Sequence, residues 1–275
     1  MDLSKVDSIA IGGFDGMHVG HQSLFGELGA HGAIVVIETG YANLTPSRER
    51  EHYTHYPIVY YSLEDIRHLE GEEFVAMLKK RFPHLKKIVV GYDFHFGKNR
   101  RYSHANLGEL FKGKVKVIEQ VCIEGDSVHS HKIRAKIQIG DISGANRFLG
   151  HNYQIKGSVI KGQGIGKTSL VPTINLECPG FLFPYEGVYA ALVRLDEEEH
   201  FHPCVVFIGH RVTTDGRYAI EIHVLGETIG VCTTASISFV KFLRKNQKFD
   251  SLELLKKAIE SDILKAKKEL CHLSL

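Results

Sequence analysis

Hydrophobic and polar positions along the chain change rhythm near residue 150. Before it, apolar runs that read as strands at 8–11, 33–38, 87–91 and 114–121 alternate with helical patterns at 72–81 and 104–111. Such alternation predicts a parallel sheet with helices on its faces. In sheets of this kind ligands bind beyond the carboxyl ends of the strands, which is where residues 12–21 fall. After residue 150 the pattern becomes short strands separated by turns, at 154–161, 173–178, 187–195, 204–208, 218–225 and 234–242. This predicts a small antiparallel β-barrel. A helix over about 252–270 closes the pattern, with Asp250 and Glu253 at capping-box spacing and Leu255, Ile259 and Ile263 as an apolar stripe toward the barrel. The expected fold class is α/β plus β, with a boundary at Gly150-His151-Asn152 that gives domains 1–150 and 151–275.

Length agrees with this division, since 275 residues exceed the usual single domain. A 43% hydrophobic content supplies core for both halves. The formal charge of +2, from 34 basic and 32 acidic residues well mixed along the chain, excludes the broad positive field of a nucleic-acid binder. Five cysteines, at 122, 178, 204, 232 and 271, form no Cys-x-x-Cys pair, which argues against a disulfide framework or zinc ribbon and points to a reducing cytoplasm. No apolar run approaches the roughly 18 residues of a membrane span, and the first residues do not begin a signal peptide.

Candidate chemistry concentrates in a few strings. Ile11-Gly12-Gly13-Phe14-Asp15-Gly16-Met17-His18-Val19-Gly20-His21 turns an apolar strand into a glycine-rich loop and then into two histidines three apart at a helix start. Glycines let the backbone approach a ligand, a helix start offers N–H groups to an anion, and two imidazoles on one face suit charge developing at phosphorus. A phosphate is the expected ligand. The string holds no His-Glu-x-x-His and no strand-linked Gly-x-Gly-x-x-Gly, and the closest approach to a Walker A loop, KGQGIGKT from residue 161, has its first glycine at 162 instead of 161. That second glycine-rich stretch, with Gly162, Gly164, Gly166 and Lys167, can still wrap phosphates. It leads into Pro172-Thr173-Ile174-Asn175, where a strand places the Thr173 hydroxyl and the Asn175 amide on one face, able to address one Mg²⁺ together with nucleotide phosphates. In 218–224 Glu221 and His223 alternate with Ile220, Ile222 and Val224, so Glu221 faces away from the apolar side.

The first string resembles the Gly-x-Phe-Asp-Gly-x-His-x-Gly-His signature of the flavin branch of the HxGH nucleotidyltransferases, the bifunctional riboflavin kinase/FMN adenylyltransferases. Further segments match in order. Ile88 to Arg101 is similar to the family's Val-Gly-x-Asp/Asn-Phe-x-Phe-Gly-Lys run, which implies flavin contacts for Asp93 and Phe94. Ile133-Arg134, Gly140-Asp141, Ala145 and Leu149-Gly150 match the stretch that closes the first domain. The glycine loop with Pro-Thr-x-Asn resembles the riboflavin kinase signature, the strand bearing Glu221 resembles the one that carries that kinase's catalytic base, and Phe242-Leu243-Arg244 resembles the segment before the final helix, implying a flavin contact for Arg244.

The resemblance implies an N-terminal HxGH-type nucleotidyltransferase domain and a C-terminal kinase barrel. ATP phosphorylates riboflavin to FMN with Mg²⁺ as cofactor, and a second ATP adenylylates FMN to FAD with release of pyrophosphate. The implied partners are these small molecules, with no nucleic acid and no membrane. By the same token His18, His21 and Glu221 are catalytic, and Gly12, Phe14, Asp15, Gly16, Ser130 and Arg134, with the glycine loop and Lys167, bind nucleotide and phosphate. Three departures stand out. The family's Ser-Ser-Thr is His129-Ser130-His131 here, its Thr-Phe-x-Pro-His-Pro run after the second strand is replaced by Ile37-Glu38-Thr39-Gly40-Tyr41, and Ser169-Leu170-Val171 stand where Leu-Gly-Phe is common. They leave two alternatives open: a single-activity kinase with an impaired first domain, and a non-catalytic flavin or nucleotide binder.

Overall fold

A computed structural model of the chain describes residues 2–160, 171–196, 198–213, 215–226 and 230–272. The chain folds as two compact units, Met1–Ser130 and His131–Leu275. The first unit runs β1 (Ser8–Gly12), α1 (Val19–Phe25), β2 (Gly32–Glu38), a 3₁₀ segment (Ser47–Tyr53), β3 (Ile58–Ser62), α2 (Leu63–Ile66), α3 (Gly71–Arg81) and β4 (Lys87–Gly91). It continues through the hairpin β5 (His95–Phe96) and β6 (Tyr102–Ser103), α4 (His104–Leu110), β7 (Lys114–Ile118), and the hairpin β8 (Cys122–Ile123) and β9 (Asp126–Ser127).

Five strands pair in parallel in the order β3-β2-β1-β4-β7. Successive side chains of a strand enter opposite faces, so Ile9 and Ile11 join Phe74, Leu78, Leu107 and Phe111 while Ala10 joins Leu24, Phe25, Ile34 and Val36. Burial on both faces explains the continuous apolar runs. From β1 the sheet grows one way through β2 and β3 and the other way through β4 and β7. The carboxyl end of β1 is therefore a topological switch point, where an open α/β sheet leaves a crevice. β3, α2 and the 3₁₀ segment occupy 47–66, a stretch to which the sequence reading assigns no element, and β7 ends at Ile118, three residues before its expected end.

Helices α5 (Ser130–Gln138) and α6 (Ile142–Leu149) precede the second sheet. Strands β10 (Tyr153–Ile160), β11 (Ile174–Glu177), β12 (Gly187–Leu195), β13 (His202–His210), β14 (Tyr218–Val224) and β15 (Thr234–Lys245) close into a barrel in the order β10-β11-β14-β13-β12-β15. All its pairings are antiparallel. Tyr153, Tyr189 and Phe239 fill its interior, and the two phenols donate to the carbonyls of Leu182 and Tyr185. These bonds remove the cost of burying their hydroxyls. Asn146 ties α6 to the barrel, its Nδ2 donating to the Phe239 carbonyl at 2.9 Å and its Oδ1 accepting the Tyr153 N–H at 2.8 Å.

Helix α7 (Leu252–Leu270) packs on the outside of the barrel against Val188, Ala190, Val205 and Leu225. Its N-cap is Ser251, one residue after the expected Asp250. Ser251 has extended backbone (φ −149°), and its hydroxyl accepts the Leu254 N–H at 3.2 Å. The stripe of Leu255, Ile259 and Ile263 is half-buried, while Asp262, Ala266 and Leu270 lie deepest. Among the described residues no helix is long and apolar enough to cross a membrane.

Candidate active sites

At the switch point of the first unit the chain leaves β1 through a tight turn with positive φ at Phe14 (49°), Gly16 (89°) and Met17 (44°). Two of these carry side chains, and such backbone persists where surrounding packing holds it. His18 caps α1: its Nδ1 accepts the His21 N–H at 3.3 Å. A neutral His18 accordingly carries its proton on Nε2, which leaves that nitrogen as a donor. Gly20 keeps the space clear, because a Cβ there would lie 3.2 Å from the His18 ring.

The His18 and His21 rings stack with centroids 3.5 Å apart and planes 20° apart. Burial, the neighbouring His18 and the Arg50 guanidinium hold the His21 imidazole well below its ordinary pKa, so at neutral pH it is uncharged. The Phe14 ring meets His21 edge-on at 5.1 Å, and a Cβ on Gly12 would come within 2.9 Å of that ring. Phe14 is only 2% exposed. Gly12 and Phe14, expected to touch nucleotide, together build the shelf behind His21.

Asp15, Gly16 and Ser130 are also committed within the protein. The buried Asp15 carboxylate accepts the N–H groups of Asn43 (3.3 Å), Leu44 (3.0 Å) and Thr45 (2.9 Å). The Gly16 N–H donates to Thr45 Oγ1 at 2.8 Å, and the Ser130 hydroxyl donates to the Asp15 carbonyl at 2.8 Å. A carboxylate ringed by backbone donors is a latch for the loop after β2. Behind this latch lies Arg50, 1% exposed, its Nη1 donating to the Ser47 carbonyl at 2.9 Å and standing 3.8 Å from Glu38. Burial lowers the pKa of Arg50 and pushes that of Tyr60 up to about 12. Among the described residues His21 Nδ1, Arg50 Nε and Tyr60 OH are buried polar atoms without a partner.

Asp93 is exposed just past the end of β4, on the other side of the switch point. Phe94, for which a flavin contact is expected, is buried and stacks on Phe96 at 5.6 Å. Arg134 is half-buried on α5, one helical turn after Ser130.

In the second unit Gly162, Gly164, Gly166 and Lys167 lie outside the described residues. Thr173 is exposed immediately before β11, and Asn175 stands directly opposite Glu221 in the β11–β14 pairing. Directly opposed side chains share a face, so Asn175 and Glu221 lie side by side on the sheet. Along β14 Ile220, Ile222 and Val224 are buried while Glu221 and His223 are half-buried. His223 Nδ1 donates to the Pro172 carbonyl at 2.9 Å, which pins the segment carrying Thr173. Arg211, at the start of the β13–β14 loop, reaches both working groups: Nε donates to Glu221 Oε1 and Nη2 to Asn175 Oδ1, each at 2.8 Å.

A cleft of about 780 Å³ in the same unit is lined by Phe183, Tyr185, Val212, Lys245, Asn246 and Lys248, among others. Arg244 is bound to the buried Asp262 of α7, with Nε donating to both carboxylate oxygens (3.1 and 2.9 Å) and Nη2 at 2.8 Å. Its guanidinium carbon also lies 5.5 Å from the Phe249 ring centroid. Arg244, for which a flavin contact is expected, anchors β15 to α7 through this pair.

Sequence reasoning missed Arg211, Arg50 and the Thr45 side of the latch. None lies within a recognisable string; each acts through a loop whose path only the folded sheet defines.

A family model for riboflavin kinase matches residues 149–270, and one for FAD synthetase matches residues 38–132. The latter match starts after the two histidines. Proteins named bifunctional riboflavin kinase/FMN adenylyltransferase are similar over nearly the whole chain. That of Pseudomonas fluorescens is 30% identical over 94% of this chain and 91% of its own length. That of Listeria monocytogenes is 27% identical (95% and 91%), and that of Escherichia coli K12 is 28% identical (94% and 91%). A crystal structure described as a macrolide-efflux protein from Streptococcus pneumoniae superposes with a TM-score of 0.80 at 25% identity, covering 98% of this chain and 95% of that one.

Proposed function

Because the chain belongs to the family of bifunctional riboflavin kinase/FMN adenylyltransferases, we propose a residue-level reading of the two ATP-dependent reactions that it carries out. One ATP phosphorylates riboflavin to FMN, and a second adenylylates FMN to FAD with release of pyrophosphate. The efflux description of the Streptococcus pneumoniae structure is not carried over, since both family-model matches name flavin chemistry.

In the kinase, Glu221 takes the proton of the riboflavin 5′-hydroxyl as its oxygen attacks the γ-phosphorus and ADP leaves. Thr173 and Asn175 would hold Mg²⁺. The fit rests on the oxygen donors that the Thr173 hydroxyl and the Asn175 amide supply. Mg²⁺ suits such a site, because it keeps water and phosphate oxygens in its shell, and when bound it neutralises phosphate charge. The cleft beside Val212 has the size and aromatic lining for a flavin ring.

In the adenylyltransferase, an FMN phosphate oxygen attacks the α-phosphorus of ATP. His18, donating through Nε2, and neutral His21 stabilise the charge that develops there, while Arg134 offers a planar fork to phosphate oxygens. Asp93 stands across the switch point on the flavin side. The Asn175–Glu221 pairing, bridged by Arg211, is the observation that carries the kinase reading.

The functional boundary lies at Gly150-His151. A kinase fragment beginning at residue 131 keeps the Asn146 contacts that one beginning at residue 152 loses. Five free cysteines and balanced charge support a cytoplasmic enzyme with no nucleic-acid partner. Reciprocal variants test the assignment. Glu221→Gln should lower FMN formation and leave FAD formation from supplied FMN intact, and His18→Ala should do the reverse, by 10²-fold or more on the order of one lost transition-state donor. Loss of both activities in either folded variant contradicts the separation.

A further inference from the structure

Arg211 stands at the base of the β13–β14 hairpin, where its N–H donates to the Arg217 carbonyl at 2.9 Å and its Nη1 lies 3.5 Å from Asp215 Oδ2. Asp215 in turn accepts the Arg217 N–H at 3.1 Å. The guanidinium is thus held from its own loop while Nε and Nη2 reach across to Glu221 and Asn175. All three side chains are largely withdrawn from water: that of Arg211 is 14% exposed and that of Glu221 26%, and Asn175 as a residue is 7% exposed. An asparagine amide can present either its oxygen or its NH₂ group to the same point, and only the oxygen satisfies an Arg donor. The contact therefore fixes Asn175 with its oxygen on the face it shares with Glu221. It also engages Glu221 Oε1, which leaves Oε2 for the substrate hydroxyl.

We propose that Arg211 is a positioning residue of the kinase site, a two-pronged clamp that sets the Asn175 amide oxygen and the Glu221 carboxylate in one arrangement before substrate arrives. This rests on the roles given above to Asn175 and Glu221. Arg211 touches no reacting atom. A lysine cannot replace it, because a single ammonium lacks the planar fork that spans two acceptors.

The test uses the full chain, with FMN formation measured as separate kcat and KM for ATP across a Mg²⁺ titration, and FAD formation from supplied FMN as the internal control for folding. Arg211→Ala should lower kcat for FMN about tenfold or more, equivalent to about 1.4 kcal/mol, and raise the Mg²⁺ requirement. Arg211→Lys should recover little of it, and FAD formation should stay within about twofold. In a Glu221→Gln background the further loss from Arg211→Ala should be much smaller than in the wild type, since the two act as one unit. Full kcat in Arg211→Lys, or losses that simply multiply in the double variant, overturn the clamp. Full FMN turnover in both Glu221→Gln and Asn175→Ala overturns the underlying site reading as well, whereas losses there with none in Arg211→Ala refute the clamp alone. Should Arg211→Ala fail to fold, Arg211→Gln in the same assays decides the same question.

Discussion

Replacing Asp15 with alanine should unlatch the loop after β2 and disable the first unit alone. The carboxylate accepts N–H groups at 2.9 and 3.0 Å from Thr45 and Leu44, residues that are 2% and 1% exposed, and a longer bond at 3.3 Å from Asn43. Each buried donor left without a partner costs about 1–3 kcal/mol, so the two short bonds together put the loss at about 2–6 kcal/mol. A unit of ordinary stability, about 5–15 kcal/mol, is left marginal by such a loss. Both short bonds end on Oδ1, so Asp15→Asn, with its amide oxygen in that place, keeps them and should cost much less than the alanine. Urea unfolding followed by circular dichroism is the suitable assay, since the chain has no tryptophan. FAD formation from FMN should collapse at the new, lower midpoint while FMN formation from riboflavin persists. An Asp15→Ala variant within about 1 kcal/mol of wild type that still forms FAD normally would refute the latch and return Asp15 to ligand binding.

Two further outcomes follow from buried charge. The folded His21 titrates well below an unfolded histidine's pKa of about 6.5, so below that pH the unfolded chain binds more protons and stability falls as pH falls, by at most ~1.4 kcal/mol per pH unit for this group. His21→Asn should flatten the decline between about pH 6.5 and 5 in pH-dependent urea midpoints, and an unchanged slope contradicts the neutral imidazole. Asp262→Ala leaves the Arg244 guanidinium without its carboxylate and should destabilise the second unit by about 3 kcal/mol, seen as a lower melting temperature with FAD formation from FMN retained; Arg244→Met in the same chain should restore part of the loss.

The fold was legible where pattern and burial coincide. The continuous apolar run through Ile9, Ala10 and Ile11 is buried on both faces, and the alternation of Ile220, Ile222 and Val224 with Glu221 and His223 recurs in the barrel. The segment 47–66 was not, because its 3₁₀ turn follows the latch onto Asp15, a contact some thirty residues distant that no local periodicity announces. At the sites, the string through His21 marked the turn after β1 yet not its internal contacts. Phe14 packs in the shelf, and Asp15 and Gly16 hold the latch. The Arg244 anchor was hidden for the same reason: its partner Asp262 sits on a helix face that the apolar stripe assigns to core. Asn175 and Glu221 could be paired by role from their motifs, but Arg211 needed the closed barrel, since it reaches them from the loop between β13 and β14.

The measurement that bears most directly on two complete sites in one chain is a time course of the purified protein with riboflavin, ATP and Mg²⁺, with flavins separated chromatographically and pyrophosphate quantified. FMN should appear first, then decline as FAD and an equal amount of pyrophosphate accumulate. FMN that accumulates without FAD or pyrophosphate would contradict the account of the first unit and leave a kinase alone, and an absence of FMN would contradict the assignment of Thr173, Asn175 and Glu221.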